Sequence, residues 1–233
     1  MVSRKLQKKK KLDKLDQTAG HPGTFLKKDD KLLKNTIQNE IDFYQSLNND
    51  HRLSPLLPYI PMYYGTTFID DVHYIKIDNI TYGYKEPWIL DIKMGNSIYG
   101  NKKGCAKLGT IVKAIFSTSM YHNMRIEGIK MGDIHPSRLK HFNIHSVLKS
   151  FIQRKSVAKE EWLMQLDDII NLLNTAPCKL YSASLLLTFD ALSSSASDCK
   201  VRFIDFAHSY IDTPHMHFRK GVLNLMSFLQ EIE

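Results

Sequence analysis

In the segment PWILDIKMG, Asp91 and Lys93 stand two residues apart. On a β-strand such positions share a face, so a carboxylate and an ammonium would project side by side. Gly95 follows, and a glycine there permits a sharp turn or a close backbone approach. The pair could assist proton movement or handle an anion; an ordinary strand ion pair has the same spacing. A second candidate is VRFIDFAH, where Asp205 leaves an apolar strand and His208 comes shortly after. A carboxylate at a strand exit suits an oxygen-liganded divalent cation, although turns use aspartate as well. A third group is Lys102, Lys103, Lys107 and Lys113. Lys103 and Lys107 would share a helix face, where like charges repel and a phosphorylated ligand would relieve them; a solvated polar face reads the same way.

Lys34 and Glu40 make a fourth constellation. A strand lysine held by a helix glutamate is the device with which protein kinases grip ATP phosphates; two surface charges would have the same spacing. His141 and His145 have the spacing of two metal ligands on a helix, but no third ligand is evident and no metal site is expected there. Cys105, Cys178 and Cys199 include no CxxC pair. That argues against a disulfide framework and a cysteine zinc site and fits a reducing compartment.

The elements that must position these residues follow from punctuation and periodicity. GTFLKKDDKLLK, from Gly23, reads as a hairpin with Asp29 and Asp30 at the turn. Residues 36–47 place Ile37, Ile41, Tyr44 and Leu47 on one helical face, with Thr36 as the expected cap. The proline-rich stretch Ser54–Pro61 reads as a connector. HYIKIDNIT, PWILDIKMG, MRIEGIKM, SASLLLTFD and CKVRFIDFA read as strands. Residues 101–118, 139–155, 159–174 and 218–232 read as helices. Strands and helices do not alternate regularly, which favours an α+β fold over a Rossmann or TIM arrangement.

The charge is unevenly placed. The chain of 233 residues carries a formal +8, yet its first fourteen residues hold seven bases and one acid. The rest is nearly neutral, with 25 bases and 23 acids. No specific nucleic-acid partner is therefore expected of the body, whereas the basic leader, residues 1–16, could contact polyanions. That leader is expected to be disordered. No apolar run reaches the ~18–20 residues of a membrane span.

Taken together, the segments resemble the inositol polyphosphate kinase family. The signature Pro-x-x-x-Asp-x-Lys-x-Gly is complete from Pro87 to Gly95. Ser182-Ala-Ser184-Leu185-Leu186 and Ile204-Asp-Phe-Ala-His208 resemble two further family motifs, and Lys34 with Glu40, Phe43 and Tyr44 resembles a fourth, all in family order. Lys93-Met94-Gly95, Ser117-Thr118-Ser119 and Arg125-Ile126-x-Gly128 are most similar to the hexakisphosphate kinases. The 21 residues between Gly95 and Ser117 leave no room for the substrate-binding insertion of the trisphosphate 3-kinases. One segment departs: His215-Met-His217-Phe218-x-x-Gly221 stands where the family carries Asp-x-Asn-Tyr-x-x-Gly.

The resemblance implies a protein-kinase-like two-lobed fold with ATP in the interlobe cleft, residues 17–80 forming the N-terminal lobe and 81–233 the C-terminal lobe. Asp78 to Ile80 would be the hinge, its backbone pairing with the adenine edge. Lys34, oriented by Glu40, would neutralise phosphates, and Asp205 would hold Mg²⁺. Asp91 would bind the ribose hydroxyls or assist the acceptor. Lys93 would sit between γ-phosphate and acceptor; His208, Lys102, Lys103, Lys107 and Lys113 would grip the substrate. The implied activity is phosphorylation of an inositol phosphate, foremost inositol hexakisphosphate to a diphosphoinositol product. The alternatives are a multikinase acting on ring hydroxyls, or an inositol phosphate- or phosphoinositide-binding module. A monomer in the cytoplasm or nucleus is expected.

Overall fold

The computed structural model describes residues 13–14, 25–95, 123–132, 143–213 and 216–233. The hairpin forms as its sequence dictates, from β2 (Phe25–Lys28) and β3 (Lys31–Asn35). Asp29 takes φ 55° at the turn, a conformation that aspartate tolerates better than most residues. A short β1 (Asp13–Lys14) pairs antiparallel with β2, opposite Leu26 and Lys27. Residues 13–14 of the expected leader thus join the edge of this sheet.

Helix α1 (Gln38–Asn49) begins two residues later than expected, with Ile37 at its N-cap and no side-chain cap bond. Thr36 is not the cap; its hydroxyl donates to Glu40 instead. Ile37 is 53% exposed and not part of the buried face, which consists of Glu40, Ile41, Phe43, Tyr44 and Leu47. The proline-rich connector winds into a 3-10 helix, Ser54–Tyr59, that buries Leu56. Then come β4 (Tyr63–Ile69), which was not expected, and β5 (Val72–Asp78). The first sheet runs β1-β2-β3-β5-β4, so Lys34 lies on its central strand.

The second sheet is built on β6 (Pro87–Met94), flanked by β7 (Met124–Met131) and β9 (Ser184–Asp190), with β10 (Lys200–Ile204) beyond β9. All its pairings are antiparallel. A two-stranded ribbon joins β8 (Cys178–Lys179) to β11 (Tyr210–Ile211). Helices α2 (Ile144–Arg154), α3 (Val157–Leu173) and α4 (Met216–Gln230) complete the chain. Asn143 caps α2 by accepting from the His145 amide, so His145 belongs to a helix start. The fold is α+β and two-lobed, with one sheet in each lobe.

Leu90, Ile92 and Met94 of β6 are buried, as are Leu185, Leu187 and Phe189 of β9. Trp88 and Trp162 both stack on Phe189, at 5.6 and 5.8 Å. A buried ammonium is built into this lobe: that of Lys155 is held by Asp198 and by the Asp190 and Ser193 carbonyls, which satisfies its burial. The core fixes the height of β6, and β6 carries Asp91 and Lys93.

The end of β6 is set by close backbone approach. Gly95 takes φ +81° and donates its amide to the Asn123 carbonyl at 2.7 Å. A Cβ on Gly221 of α4 would lie 2.4 Å from that same Asn123 oxygen. The final glycine of the departed segment thus lets α4 press against the turn beyond Lys93. No helix among the described residues is long and apolar enough to cross a membrane.

Candidate active site

Lys34, Glu40 and Asp205 converge although they belong to three separate elements. The Lys34 ammonium donates to Glu40 Oε1 at 2.7 Å and to Asp205 Oδ1 at 2.6 Å. Burial pushes this lysine towards neutrality, but the Asp205 and Glu40 carboxylates outweigh it and hold its pKa above that of an ordinary lysine. Glu40 is 1% exposed and fully used: Oε1 also accepts from the Phe206 amide at 2.9 Å, and Oε2 from Thr36.

Helix α1 holds the IDFAHS turn at more points than Glu40. Asn39 donates to the carbonyls of Ala207 and Ser209, both at 2.9 Å. Phe206 stacks on Phe43 at 4.8 Å and meets Tyr44 edge-on at 5.3 Å. The turn presents Asp205 at φ +66°, with its carboxylate 43% exposed. His208, between the two carbonyls that Asn39 holds, is exposed.

Asp91 is buried, and its pKa is pushed up to about 7. Loss of hydration is the main cause, followed by the charge of Asp205; a hydrogen bond with Ser184 works the other way. Its Oδ1 has no hydrogen-bond partner among the described residues. Lys93 is half-buried, two residues on along β6. Opposite it on β7 stands Arg125, whose guanidinium is paired with Glu127 at 2.9 Å.

The expected hinge segment is largely engaged in hydrogen bonds of its own. Asp78 gives its carboxylate to Lys31 and Tyr64, at 2.7 and 2.9 Å. Its amide goes to the Met62 carbonyl, that of Asn79 to Asp30, and the Ile80 carbonyl accepts from Lys200. Among the described residues the Ile80 amide makes no such hydrogen bond. Lys102, Lys103, Lys107 and Lys113 lie outside the described residues, as do His141 and His215. The residues that sequence reasoning had not placed at the site are Asn39, Arg125 and Glu127. Arg125 was visible only as part of a motif, and the other two become apparent only once the packing of α1 and the pairing of β6 with β7 are known.

The donor set fits a nucleotide with a hard cation. No group of three His, Cys, Asp or Glu side chains gathers as a metal site among the described residues. A part-exposed carboxylate such as that of Asp205 is the kind of oxygen donor that a hard divalent cation takes alongside waters and phosphate oxygens.

Comparisons with known proteins bear on the family and the fold. The family model described as inositol polyphosphate kinase matches residues 74–230. The inositol polyphosphate multikinase of Schizosaccharomyces pombe is 24% identical, over 83% of this chain and 86% of its own length. Human inositol-trisphosphate 3-kinase C is 32% identical over 36% of this chain, a match that spans 12% of that relative. Inositol hexakisphosphate kinase 1 of Saccharomyces cerevisiae is 29% identical over 58% of this chain and 15% of its own length. Among solved structures, the multikinase Ipk2 of S. cerevisiae in complex with ADP and Mn²⁺ superposes with TM-score 0.68 at 20% identity, covering 86% of this chain and 98% of that one.

Proposed function

The chain belongs to the inositol polyphosphate kinase family, and from that premise we propose that it transfers the γ-phosphoryl group of ATP to a ring hydroxyl of an inositol phosphate. The observation that carries this reading is Asp91. A carboxyl whose pKa is raised chiefly by burial, with one unpartnered oxygen and Lys93 beside it, is suited to accept a hydroxyl proton. A phosphate acceptor is already ionised and has no need of such a base.

Lys34, fixed by Glu40, is placed to neutralise nucleotide phosphates, and Asp205 to hold Mg²⁺. When bound, that ion would offset the charge that develops during phosphoryl transfer. The Ile80 amide is placed to meet the adenine edge. Lys93 and Arg125 face the acceptor with two cations, and His208 adds a donor from the neighbouring turn. With every partner held in position, positioning and electrostatics supply most of the rate.

Synthesis of a diphosphoinositol from inositol hexakisphosphate is the second reading, favoured by the motif blocks at Lys93–Gly95 and Arg125–Gly128. Incubation with Mg-ATP and a panel of inositol phosphates, followed by separation by charge, distinguishes the two. Products from acceptors with free hydroxyls are expected. A product more anionic than inositol hexakisphosphate would establish the second reading, and binding without turnover on any acceptor would leave a binding module.

A further inference from the structure

β7 carries one residue more than β6 where the two strands pass the site. Asp91 faces Gly128 and Ile92 faces Ile126, so Glu127 is the inserted residue of a β-bulge. A bulge takes a side chain out of register and re-aims it, and bulges recur next to active sites. Lys93 and Arg125 are directly opposed and so share a face. Glu127 Oε2 accepts from Arg125 Nε at 2.9 Å, which brings the inserted side chain to that same face. Glu127 is exposed, and its charge reaches Asp91, where it opposes ionisation.

Besides the buried Asp91, the acceptor face therefore presents two cations and one exposed carboxylate. For a ligand made of phosphates the carboxylate has the wrong sign. It repels an anion close by and leaves a hydroxyl unharmed, because a hydroxyl can donate to it. Discrimination often rests on such a repulsive element as much as on attraction. We propose that Glu127 is a specificity-determining residue, which selects inositol phosphates with a free hydroxyl at the ring position lying against β7 by rejecting a phosphate there. This inference rests on the hydroxyl-acceptor reading and names the residue that enforces it.

The test is Glu127→Gln, which keeps shape and an acceptor oxygen but removes the charge. kcat/KM is measured for inositol hexakisphosphate and for a trisphosphate and a tetrakisphosphate with free hydroxyls, with Tm as the folding control. Glu127→Thr, a residue suited to strands, serves if Gln fails to fold. The ratio of hexakisphosphate to lower-phosphate turnover is expected to rise ~10-fold or more, and raised ionic strength should narrow that gain. A ratio unchanged within about twofold overturns the inference, as does an equal fall for every acceptor, which would mean that Glu127 only props Arg125. Wild-type protein that already prefers hexakisphosphate sinks the hydroxyl reading and this inference together. A wild-type preference for hydroxyls with an unmoved ratio in the variant sinks this inference alone.

Discussion

The amide of Phe206 donates to Oε1 of Glu40 at 2.9 Å, and that oxygen also receives Lys34. One carboxylate thus ties the central strand of the first sheet to the turn that follows the second. Helix α1 acts as the coupling element: Asn39, Glu40, Phe43 and Tyr44 all touch the IDFAHS turn. A displacement of α1 would move the lysine and Asp205 together.

Glu40→Ala is expected to lower stability by ~2–4 kcal/mol, since it leaves Lys34 and the buried Phe206 amide short of a partner. Activity should fall at least ~100-fold, with the KM for ATP raised. Chemical denaturation and ATP titrations check both arms; an unchanged KM would separate Glu40 from nucleotide binding.

Asp205→Asn should abolish turnover, by ~10³-fold or more, with a moderate fall in Tm because the buried Lys34 loses one of its two carboxylates. Asparagine tolerates the left-handed backbone that this position adopts at φ +66°. Asp205→Ala should lose activity equally and a further ~1 kcal/mol of stability from backbone strain. Wild-type-like turnover in the Asn variant, at matched folding, would refute the assignment to metal binding.

Asp91 makes stability depend on pH in a defined direction. Its folded pKa is raised to about 7, whereas the unfolded chain ionises near ~4. Stability is complete below that lower value and is lost as pH rises towards 7, because the unfolded state releases its proton first. Asp91→Asn should therefore stabilise the nucleotide-free protein, with a gain that grows by ~2 kcal/mol between about pH 5 and pH 8. Melting curves at the two pH values read this directly, and a gain independent of pH would contradict it.

Gly221→Ala should destabilise the fold by ~1–3 kcal/mol. Its Cβ would lie 2.4 Å from a backbone oxygen that cannot easily move, that of Asn123. The same push would be felt at the turn beyond Lys93, so kcat should fall in the folded fraction. Equal kcat per folded molecule would confine the effect to stability.

Asn39→Ala should raise the KM for the inositol phosphate ~3–10-fold and leave the KM for ATP close to wild type, because it frees the carbonyls on either side of His208. In a His208→Ala background the same substitution should add little. Two losses that multiply would show that Asn39 does not act through His208.

Much of the site was legible because its motifs are local. The β2–β3 hairpin, the Asp91–Lys93 strand and the Asp205 exit each announce themselves within about ten residues. Strand β4 did not, because Tyr64, Thr66, Thr67 and Phe68 are all exposed on an edge and show no alternation. Thr36 and Ile37 were misread because the hydroxyl found a carboxylate one helical turn on, so that the expected cap and the first apolar position both fell outside α1. Glu127 was illegible for a different reason: a bulge is a property of two strands, and neither strand alone records it.

The stacking of both tryptophans on Phe189 has a practical consequence. Trp88 and Trp162, the only two in the chain, lie in the lobe of the second sheet. Intrinsic tryptophan emission will follow the loosening of that lobe, and the first sheet can be followed separately only through its tyrosines. Trp88 also donates its indole N–H to Glu86, in the linker between the sheets. Its emission maximum therefore responds to the state of that linker contact, with no attached dye.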